Sequence, residues 1–398
     1  MATNKEQNKL NVPHLRFPEF HGEWEKCKLG DIATLTKGSG ISKDQRSATG
    51  TPCILYGELY TTYKSEVINY VVSKTDISDK NLVRSCANDI IIPSSGETAI
   101  DISTARCVLS PDVLLGGDLN IIRLKDGEGR FFSYQLNGVR KHDIAKIAQG
   151  VSVVHLYGES IKGLTVSFPS NKEQQKISTL LSLIDERIAT QSKLIEKLES
   201  LIKGISNKLL NSKEGMPVRL GAVLKERSEK TKVNNQYTVL SSTVNGLFSQ
   251  REYFSKDIAS ENNVGYKIIR LHDVVLSPQN LWMGNINYND KFDIGIVSPS
   301  YKIFFISNNF DKRYVAAMLK THRALYGYKL ISEQGASVVR RNLNLEAFEQ
   351  LIFKIPTIDK QQEIGKTISL LNSRLETERT LKATYQSQKQ YLLRQMFI

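Results

Sequence analysis

The chain contains two copies of one pattern, and this duplication constrains the fold more than any other feature of the sequence. The segment GVSVV at 150–154 recurs as GASVV at 335–339, and EQQKI at 173–177 recurs as KQQEI at 360–364. The copies lie about 187 residues apart, a period far longer than that of a solenoid repeat. The sequence therefore predicts two whole domains in tandem, each followed by a tail of the same kind.

Each tail is predicted to form a long helix with a coiled-coil seam. No Gly or Pro occurs between Pro169 and Gly204, and apolar residues recur there at alternating spacings of four and three. The predicted packing residues of this first helix are Ile177, Leu181, Ile184, Ile188, Ile195, Leu198 and Ile202. Those of the second helix are Ile364, Ile368, Leu371 and Leu375, beyond which Glu378 and Lys382 interrupt the seam. We expect the two helices to pair antiparallel; the alternative is that each packs only on its own domain.

The domains themselves are predicted to be mixed. Short apolar runs at 89–92, 119–124, 273–276 and 301–306 are typical of buried strands, and helices are expected at 132–139 and 313–319. The predicted fold class is α+β, with two homologous mixed α/β domains separated by two antiparallel helices in a pseudo-two-fold cyclic arrangement. The predicted parts are an N-terminal segment 1–24, a first domain 25–170, a central spacer helix 171–212, a second domain 213–357 and a C-terminal spacer helix 358–398.

The charge of the chain points to a polyanionic partner. Lys and Arg number 54 against 41 Asp and Glu, so the formal net charge is +13. Nucleic acid and an anionic membrane are the two candidates. No apolar run reaches the roughly 20 residues that span a bilayer, and no secretory h-region follows the N-terminus. The four cysteines form no C-x-x-C pair, which favours reduced thiols and a cytoplasmic location over a disulfide framework or a zinc site.

Motifs of common DNA-modifying and hydrolytic enzymes are absent from the sequence. It contains no G-x-x-x-x-G-K-[ST] phosphate loop, no H-E-x-x-H, no G-x-S-x-G, no Asp/Glu-x-Lys nuclease triplet and no Asn/Asp-Pro-Pro-aromatic run. At one repeated position the first copy has His155 and the second has Arg340, an exchange that phosphate binding tolerates better than catalysis. We therefore predict that the chain has no catalytic residue, no metal site and no bound cofactor.

Basic residues interleaved with hydroxyl, amide and aromatic side chains are the candidate DNA contacts. Lys and Arg bond phosphates and guanine, while Asn and Gln can bond adenine. The candidates in the first domain are Lys37, Ser39, Lys43, Gln45, Arg46, Tyr60, Ser94, Ser152 and His155. Those in the second domain are Arg227, Lys230, Lys232, Gln279, Asn280, Trp282, Ser337, Arg340, Arg341 and Asn342. For any single one of them, a solvated surface side chain is the alternative.

The sequence resembles the specificity subunits of type I restriction-modification systems. The residues that carry the resemblance are LRFPEF at 15–20, WEKCKLGDI at 24–32, and the helix entries at 168–177 and 355–364. The resemblance extends over nearly the whole chain, although the domain interiors vary too much in this family to serve as motifs. It departs from the family pattern in the second helix, where the seam is interrupted.

The resemblance implies a non-catalytic, cytoplasmic subunit that takes part in defence against foreign DNA. Its two target recognition domains would each read one half of a split double-stranded DNA sequence, and the two helices would set the gap. The helices would also dock two modification subunits, which bind S-adenosylmethionine and methylate adenine at N6. Two restriction subunits would add ATP- and Mg²⁺-dependent translocation and cleavage. Two other classes stay open, namely a coiled-coil adaptor without DNA specificity and a free-standing DNA enzyme.

Overall fold

The computed structural model describes residues 11–78, 81–211, 214–253, 262–334 and 341–398 and divides the chain into two units. Unit 1 comprises residues 1–192 together with 380–398, and unit 2 comprises residues 193–379. Both long helices cross this division. Residues 171–192 of the first long helix and 380–395 of the second belong to unit 1, and 193–210 and 358–379 belong to unit 2.

Unit 1 is a mixed α/β unit built around a five-stranded sheet. Its strands are β1 (Glu25–Lys28), β2 (Ala33–Lys37), β3 (Thr51–Ile54), β4 (Val67–Ile68), β5 (Lys74–Thr75), β6 (Asp89–Pro93), β7 (Ser95–Gly96), β8 (Arg106–Val108), β9 (Leu114–Leu115), β10 (Leu119–Leu124), β11 (Val154–His155) and β12 (Thr165–Phe168). Its helices are α1 (Leu29–Ile32), α2 (Glu58–Thr61), α3 (Ala99–Ile102), α4 (Gly129–Asn137), α5 (Lys141–Ile147), α6 (Gly158–Lys162) and the first half of α7 (Asn171–Leu210), with a 3-10 turn at Lys43–Gln45. The sheet order is β2-β10-β6-β8-β4, in which β8 and β4 are parallel and the other neighbours antiparallel.

The central strands of this sheet are apolar because both of their faces are covered. Ile90 and Ile92 point into a core shared with α4 and α7, whereas Ile91 points into a second core on the other face. Alternate residues of a strand face opposite sides, so an unbroken isoleucine run needs apolar partners on both. The strands predicted at 89–92 and 119–124 are thereby confirmed as β6 and β10.

Unit 2 repeats this plan in a smaller form. Its strands are β13 (Met216–Arg219), β14 (Leu224–Arg227), β15 (Leu240–Thr243), β16 (Gly246–Ser249), β17 (Lys267–Arg270), β18 (Asp273–Leu276), β19 (Ile286–Tyr288), β20 (Ile294–Val297), β21 (Lys302–Ile306), β22 (Ser332–Gln334), β23 (Arg341–Leu343) and β24 (Ile352–Ile355). Its helices are α8 (Leu220–Val223), α9 (Gln250–Tyr253), α10 (Lys312–Met318), α11 (His322–Leu330), α12 (Leu345–Gln350) and the first half of α13 (Ile358–Gln395), with a 3-10 turn at Leu281–Met283. Its main sheet is antiparallel in the order β14-β21-β18-β19.

In both units the strand that opens the domain pairs with the strand that leads into the long helix. β1 pairs antiparallel with β12, and β13 pairs antiparallel with β24. This pairing closes each domain at the point where its helix departs. The helix therefore leaves each unit from the same structural position, as the repeated helix-entry motif requires.

The repeated Gln-Gln motif makes the same cap at the start of both long helices. Gln174 Nε2 donates to the carbonyl of Pro169 at 2.8 Å, and its Oε1 accepts from the backbone N–H of Glu128 at 3.0 Å. Gln361 makes the equivalent bonds to Pro356 at 2.8 Å and to Asp311 at 3.0 Å. A buried glutamine at this position joins the helix start to the neighbouring helix of its domain.

The two long helices run antiparallel where they meet. In unit 1, Lys389 of α13 donates to Asp185 of α7 at 2.6 Å. In unit 2, Arg379 of α13 donates to Glu199 of α7 at 2.6 Å. Residue numbers rise along one helix as they fall along the other, so the predicted antiparallel pairing is confirmed. At about 1.5 Å per residue, the 40 residues of α7 span about 60 Å.

The seam contains polar residues as well as the predicted apolar ones. The buried predicted packing residues are Ile177, Leu181, Ile184, Ile364, Ile368 and Leu375. The half-buried ones are Ile188, Ile195, Leu198, Ile202 and Leu371. Glu378 is buried and forms an ion pair with Arg374, whereas Lys382 is half-buried. Lys389, which the sequence analysis overlooked, also lies in the seam and is buried.

Residues 11–24 and the residues around the end of α13 meet within unit 1. The backbone N–H of Leu15 donates to the carbonyl of Gln395 at 2.8 Å, and Arg140 donates to the carbonyl of Ile398 at 2.8 Å. The ring of Phe397 packs against Trp24 with centroids 6.5 Å apart. The N-terminal segment and the C-terminal helix thus close on one core. Within the described ranges, no helix is long and apolar enough to cross a membrane.

Candidate nucleic-acid interface

In unit 1, several predicted contact residues lie where neighbouring strands of the main sheet begin or end, at the same side of the sheet. Lys37 ends β2 and pairs in register with Asn120 of β10, which pairs in turn with Ile92 of β6. Ser94 follows β6 directly and is buried, with its backbone N–H donating to the carbonyl of Asp118 at 2.7 Å. The exposed lysine and the buried serine therefore lie at the same end of neighbouring strands.

The short ladder between β7 and β11 brings His155 and Tyr60 to this same end of the strands. His155 in β11 pairs with Ser95 in β7, and its exposed imidazole stacks on Tyr157 with centroids 6.2 Å apart. The Tyr60 hydroxyl lies 3.5 Å from the carbonyl of Ser95. Burial raises the pKa of Tyr60, so its phenol keeps its proton and remains a hydrogen-bond donor. Ser152 is exposed in the preceding turn.

The remaining first-domain candidates take part in local structure. Ser39 Oγ accepts from the backbone N–H of Val83 at 2.8 Å, which ties two loops together. Gln45 Oε1 accepts from the backbone N–H of Ser42 at 2.8 Å and stabilises the 3-10 turn. Arg46 is exposed, with its guanidinium 3.7 Å from the buried carboxylate of Glu58. Lys43 is exposed on the same turn.

In unit 2, four predicted residues form one cluster. The guanidinium of Arg341 lies 5.0 Å from the ring centroid of Trp282, and the backbone N–H of Arg341 donates to the carbonyl of Gln279 at 3.1 Å. Asn280 is half-buried in the turn between them. An arginine stacked on an indole presents its N–H fork in a fixed plane, a geometry suited to phosphate and base edges. Asn342 is exposed next to this cluster.

Four further candidates belong to the second domain. Lys230 and Lys232 are exposed in the segment that follows β14, where Lys230 forms an isolated antiparallel bridge with Lys267. Ser337 and Arg340 lie outside the described residues. The exchange of His155 for Arg340 between the copies therefore stays a prediction from the sequence.

Arg227 is engaged inside the domain. Its Nε lies 3.1 Å from the carboxylate of Asp273, and its guanidinium lies 5.7 Å from the ring centroid of Phe305. Asp273 is buried and accepts from the backbone N–H of Arg270 at 2.9 Å. Burial raises the pKa of Asp273, although the neighbouring arginines oppose this shift. Arg227 therefore neutralises a buried carboxylate, in addition to any contact with a ligand.

Unit 1 also neutralises a buried aspartate at the start of a central strand, with an arginine that the sequence did not indicate. The buried Asp89 accepts from the backbone N–H of Cys86 at 2.7 Å and from two nitrogens of Arg123 at 2.8 Å and 2.7 Å. Asn88 precedes it at φ 78°, as His272 at φ 73° precedes Asp273. The repeat of an aspartate at the start of a buried strand was the available signal. The arginine comes from β10 in one unit and from β14 in the other, which no alignment of the two copies predicts.

The comparisons with known proteins agree with this architecture. Residues 21–200 match the family model described as the type I restriction modification DNA specificity domain. The chain carries a type I specificity domain. The family resemblance noted in the sequence is thereby confirmed.

Relatives of the specificity domain are found among archaeal proteins. The type I restriction enzyme MjaVIII specificity subunit of Methanocaldococcus jannaschii is 26% identical over 212 residues, which are 52% of this chain and 46% of that protein. The MjaIX specificity subunit of the same organism is 24% identical over 188 residues, which are 45% of this chain and 42% of that protein. These matches span about half the length of the relatives or slightly less.

A solved structure extends the likeness from the specificity domain to the whole fold. The crystal structure of the type I restriction-modification S subunit from M. genitalium superposes with a TM-score of 0.65 at 17% sequence identity. The superposition covers 97% of this chain and 99% of that chain. The predicted fold class is thereby confirmed.

The second unit lies almost wholly beyond the residues that match the specificity domain model. The similarity of unit 2 to unit 1 is seen in shared structural details. These are above all the glutamine at the start of each long helix and the buried aspartate at the start of each central strand. Within the described part of the chain, no group of three or more His, Cys, Asp or Glu could hold a metal ion.

Proposed function

We propose that this protein is the DNA-recognition subunit of a type I restriction-modification complex, and that each unit reads one half of a split, asymmetric target. One observation carries the proposal. The two units share a framework but differ in the side chains at their predicted contact positions, with Tyr60 and His155 in one and Trp282 and Arg341 in the other. Two dissimilar readers on one framework imply two different half-sites.

The net charge of +13 supports DNA as the ligand. Phosphate contacts by exposed lysines and arginines would hold the protein on the duplex, and amide, imidazole and indole groups would select bases. A coiled-coil adaptor without DNA specificity accounts for neither this charge nor the specificity domain. The free-standing enzyme alternative lacks a catalytic motif in the sequence.

We further propose that α7 and α13 set the gap between the half-sites and dock two modification subunits. Leu183, Leu201 and Leu370 support docking, because each is a large apolar side chain that is more than half exposed on one of these helices. S-adenosylmethionine would belong to the modification subunits, and ATP and Mg²⁺ to two restriction subunits. The target adenine must leave the base stack to be methylated, so this chain would grip DNA that its partner opens.

Exchanging one reader tests the proposal. Residues 25–168 are replaced by the corresponding segment of a relative, in protein co-expressed with its modification subunit, and methylated adenines are mapped in the host genome. We expect one half-site to change while the other half-site and the gap are retained. A change in both half-sites together would overturn the two-reader proposal. Loss of methylation with retained DNA binding would instead show that the exchanged segment also serves docking, which the proposal does not allow.

The adaptor alternative is tested by a salt titration of DNA binding with the modification subunit present. Recognition by this chain predicts an affinity that falls steeply as salt rises and that depends on the half-site sequences. An affinity that is unchanged when both half-sites are scrambled would favour the adaptor.

A further inference from the structure

A buried ionic cluster in unit 1 joins the first domain, the spacer helix and the C-terminal helix. Lys389 of α13 donates to Asp185 of α7 at 2.6 Å and to the carboxylate of Glu66, which directly precedes β4. The three side chains are only 10–12% exposed. One ammonium therefore contacts a carboxylate from each of two elements that are 119 residues apart in the chain.

Hydroxyl groups complete the coordination of Asp185. The Tyr134 hydroxyl donates to Asp185 Oδ2 at 2.7 Å, and Ser65 Oγ donates to the same oxygen at 2.9 Å. The Lys389 ammonium also lies 5.5 Å from the ring centroid of Tyr134. Burial and the adjacent carboxylate of Asp185 raise the pKa of Tyr134, so its phenol keeps its proton and continues to donate.

The backbone at Glu66 is held just as firmly. Its carbonyl accepts from Ser133 Oγ at 2.8 Å and from the backbone N–H of Cys107 at 2.8 Å. Nearby, the buried guanidinium of Arg106 donates to the carbonyls of Tyr63 at 3.2 Å and Ala105 at 3.0 Å. The buried Arg106 guanidinium thus adds a second positive charge close to the Glu66 and Asp185 carboxylates.

The known energetics of buried ion pairs indicate that this cluster determines how the helices are placed more than it stabilises the fold. Removing one partner of a buried ion pair is strongly destabilising because it leaves a buried charge uncompensated, yet replacing the whole set by uncharged groups is often neutral. A buried polar residue in a helical seam can instead determine the register of the helices. Lys389 occupies such a seam position, four residues after Tyr385 and three before Leu392.

Among the residues of unit 2 that the structure describes, no ionic cluster of this kind occupies the equivalent place. The glutamine caps align Gln174 with Gln361, and the residues they contact align Glu128 with Asp311. Counting the same number of residues from these aligned positions gives the corresponding residues of the two units. Asp185 corresponds to Asn372, Tyr134 to Ala317, and Lys389 to Ile202. These three counterparts are uncharged and line an open groove of about 920 Å³. The ionic cluster therefore distinguishes one helix–domain junction from the other.

We propose that the Lys389–Glu66–Asp185 cluster is a positioning device that permits one placement of α13 against α7 and the first domain, and thereby narrows the gap that the protein accepts in DNA. The statement about the gap rests on the proposed function. The statement about helix placement does not, because it concerns contacts within unit 1 alone. The three residues are positioning residues and touch no DNA in this proposal.

The test removes the charges of Lys389, Glu66 and Asp185 while keeping the shapes of their side chains. The triple variant Lys389→Met, Glu66→Gln, Asp185→Asn is compared with Arg379→Met, which breaks the exposed pair to Glu199 between the same two helices. Each protein, with its modification subunit, is given DNA with correct half-sites and a gap that is correct or one base pair longer or shorter. We expect the triple variant to lose about tenfold in its preference for the correct gap while it retains both half-sites, and Arg379→Met to behave as wild type.

A folded triple variant with unchanged gap preference overturns the proposal. If the triple variant does not fold, Glu66→Gln alone decides, because it keeps the Lys389–Asp185 pair; it must weaken the gap preference in part, and no change overturns the proposal. Should even the wild type show no sequence-dependent methylation, the proposed function fails. The proposed helix placement is then tested by amide hydrogen exchange. The exchange rate over residues 385–393 must rise in the triple variant and not in Arg379→Met. If the rate does not rise in the triple variant, the proposed helix placement is overturned.

Discussion

The aromatic side chain of Phe397 should be essential to unit 1 and irrelevant to unit 2. It is 3% exposed and packs on Trp24 and on Phe131, whose ring centroid lies 5.1 Å away. Replacing a buried Phe by Ala costs about 3–5 kcal/mol. For a unit of about 200 residues, each kcal/mol lowers the melting temperature by about 2–4 °C. We therefore expect Phe397→Ala to lower the melting temperature of unit 1 by roughly 6–20 °C.

The two tryptophans allow this to be measured unit by unit, since Trp24 lies in unit 1 and Trp282 in unit 2. In a Trp282→Phe background, tryptophan fluorescence follows unit 1 alone, and circular dichroism follows both units. Tyr391→Ala is the matched control, because Tyr391 is an aromatic residue of α13, lies six residues before Phe397 and is 53% exposed. A shift below about 2 °C, or an equal shift for the control, would refute the idea that the residues just after α13 belong to the core of unit 1.

Three further predictions concern buried charge, ionisation and DNA. Asp273→Ala should destabilise unit 2 by about 1–3 kcal/mol, because the Arg270 N–H and Arg227 lose their acceptor; urea denaturation followed by Trp282 fluorescence measures this, and an unmoved midpoint would contradict it. Because the pKa of Tyr134 is raised, its phenol should remain protonated above the ordinary value of about 10. The phenolate absorbance of Tyr134→Phe should therefore match that of wild type up to about pH 11, and a smaller absorbance in the variant would show the assignment wrong. Lys37→Ala should weaken binding equally for all DNA sequences and reduce the slope of log affinity against log salt by about 1; a sequence-dependent loss would mean that Lys37 reads a base.

Much of the architecture was accessible from the sequence because its signals are local or periodic. The heptad spacing predicted the helices now seen as α7 and α13, and the isoleucine run predicted β6. The duplication alone implied that both helices would begin in the same way, and the caps by Gln174 and Gln361 explain why that motif is repeated.

The candidate interface was harder to predict, because a residue type does not reveal what a side chain contacts. The sequence marked Arg227 as a candidate DNA contact, which stays a prediction, and it gave no sign that the guanidinium also neutralises Asp273 in the folded chain. It marked Ser39 in the same way, and this hydroxyl accepts a backbone hydrogen bond. Arg341 and Trp282 are 59 residues apart in the chain, and only folding brings the guanidinium over the indole.

The sequence by itself determined that there are two copies of one domain plan and two long helices, since repetition and periodicity survive in the order of the residues. The tertiary structure alone decided that each helix is shared between two units and that Lys389 meets Glu66, 323 residues earlier in the chain. A contact of that kind depends on how distant surfaces pack. Such a contact produces no periodic pattern in the sequence, because the identity of a lysine does not indicate whether its side chain is buried or solvated.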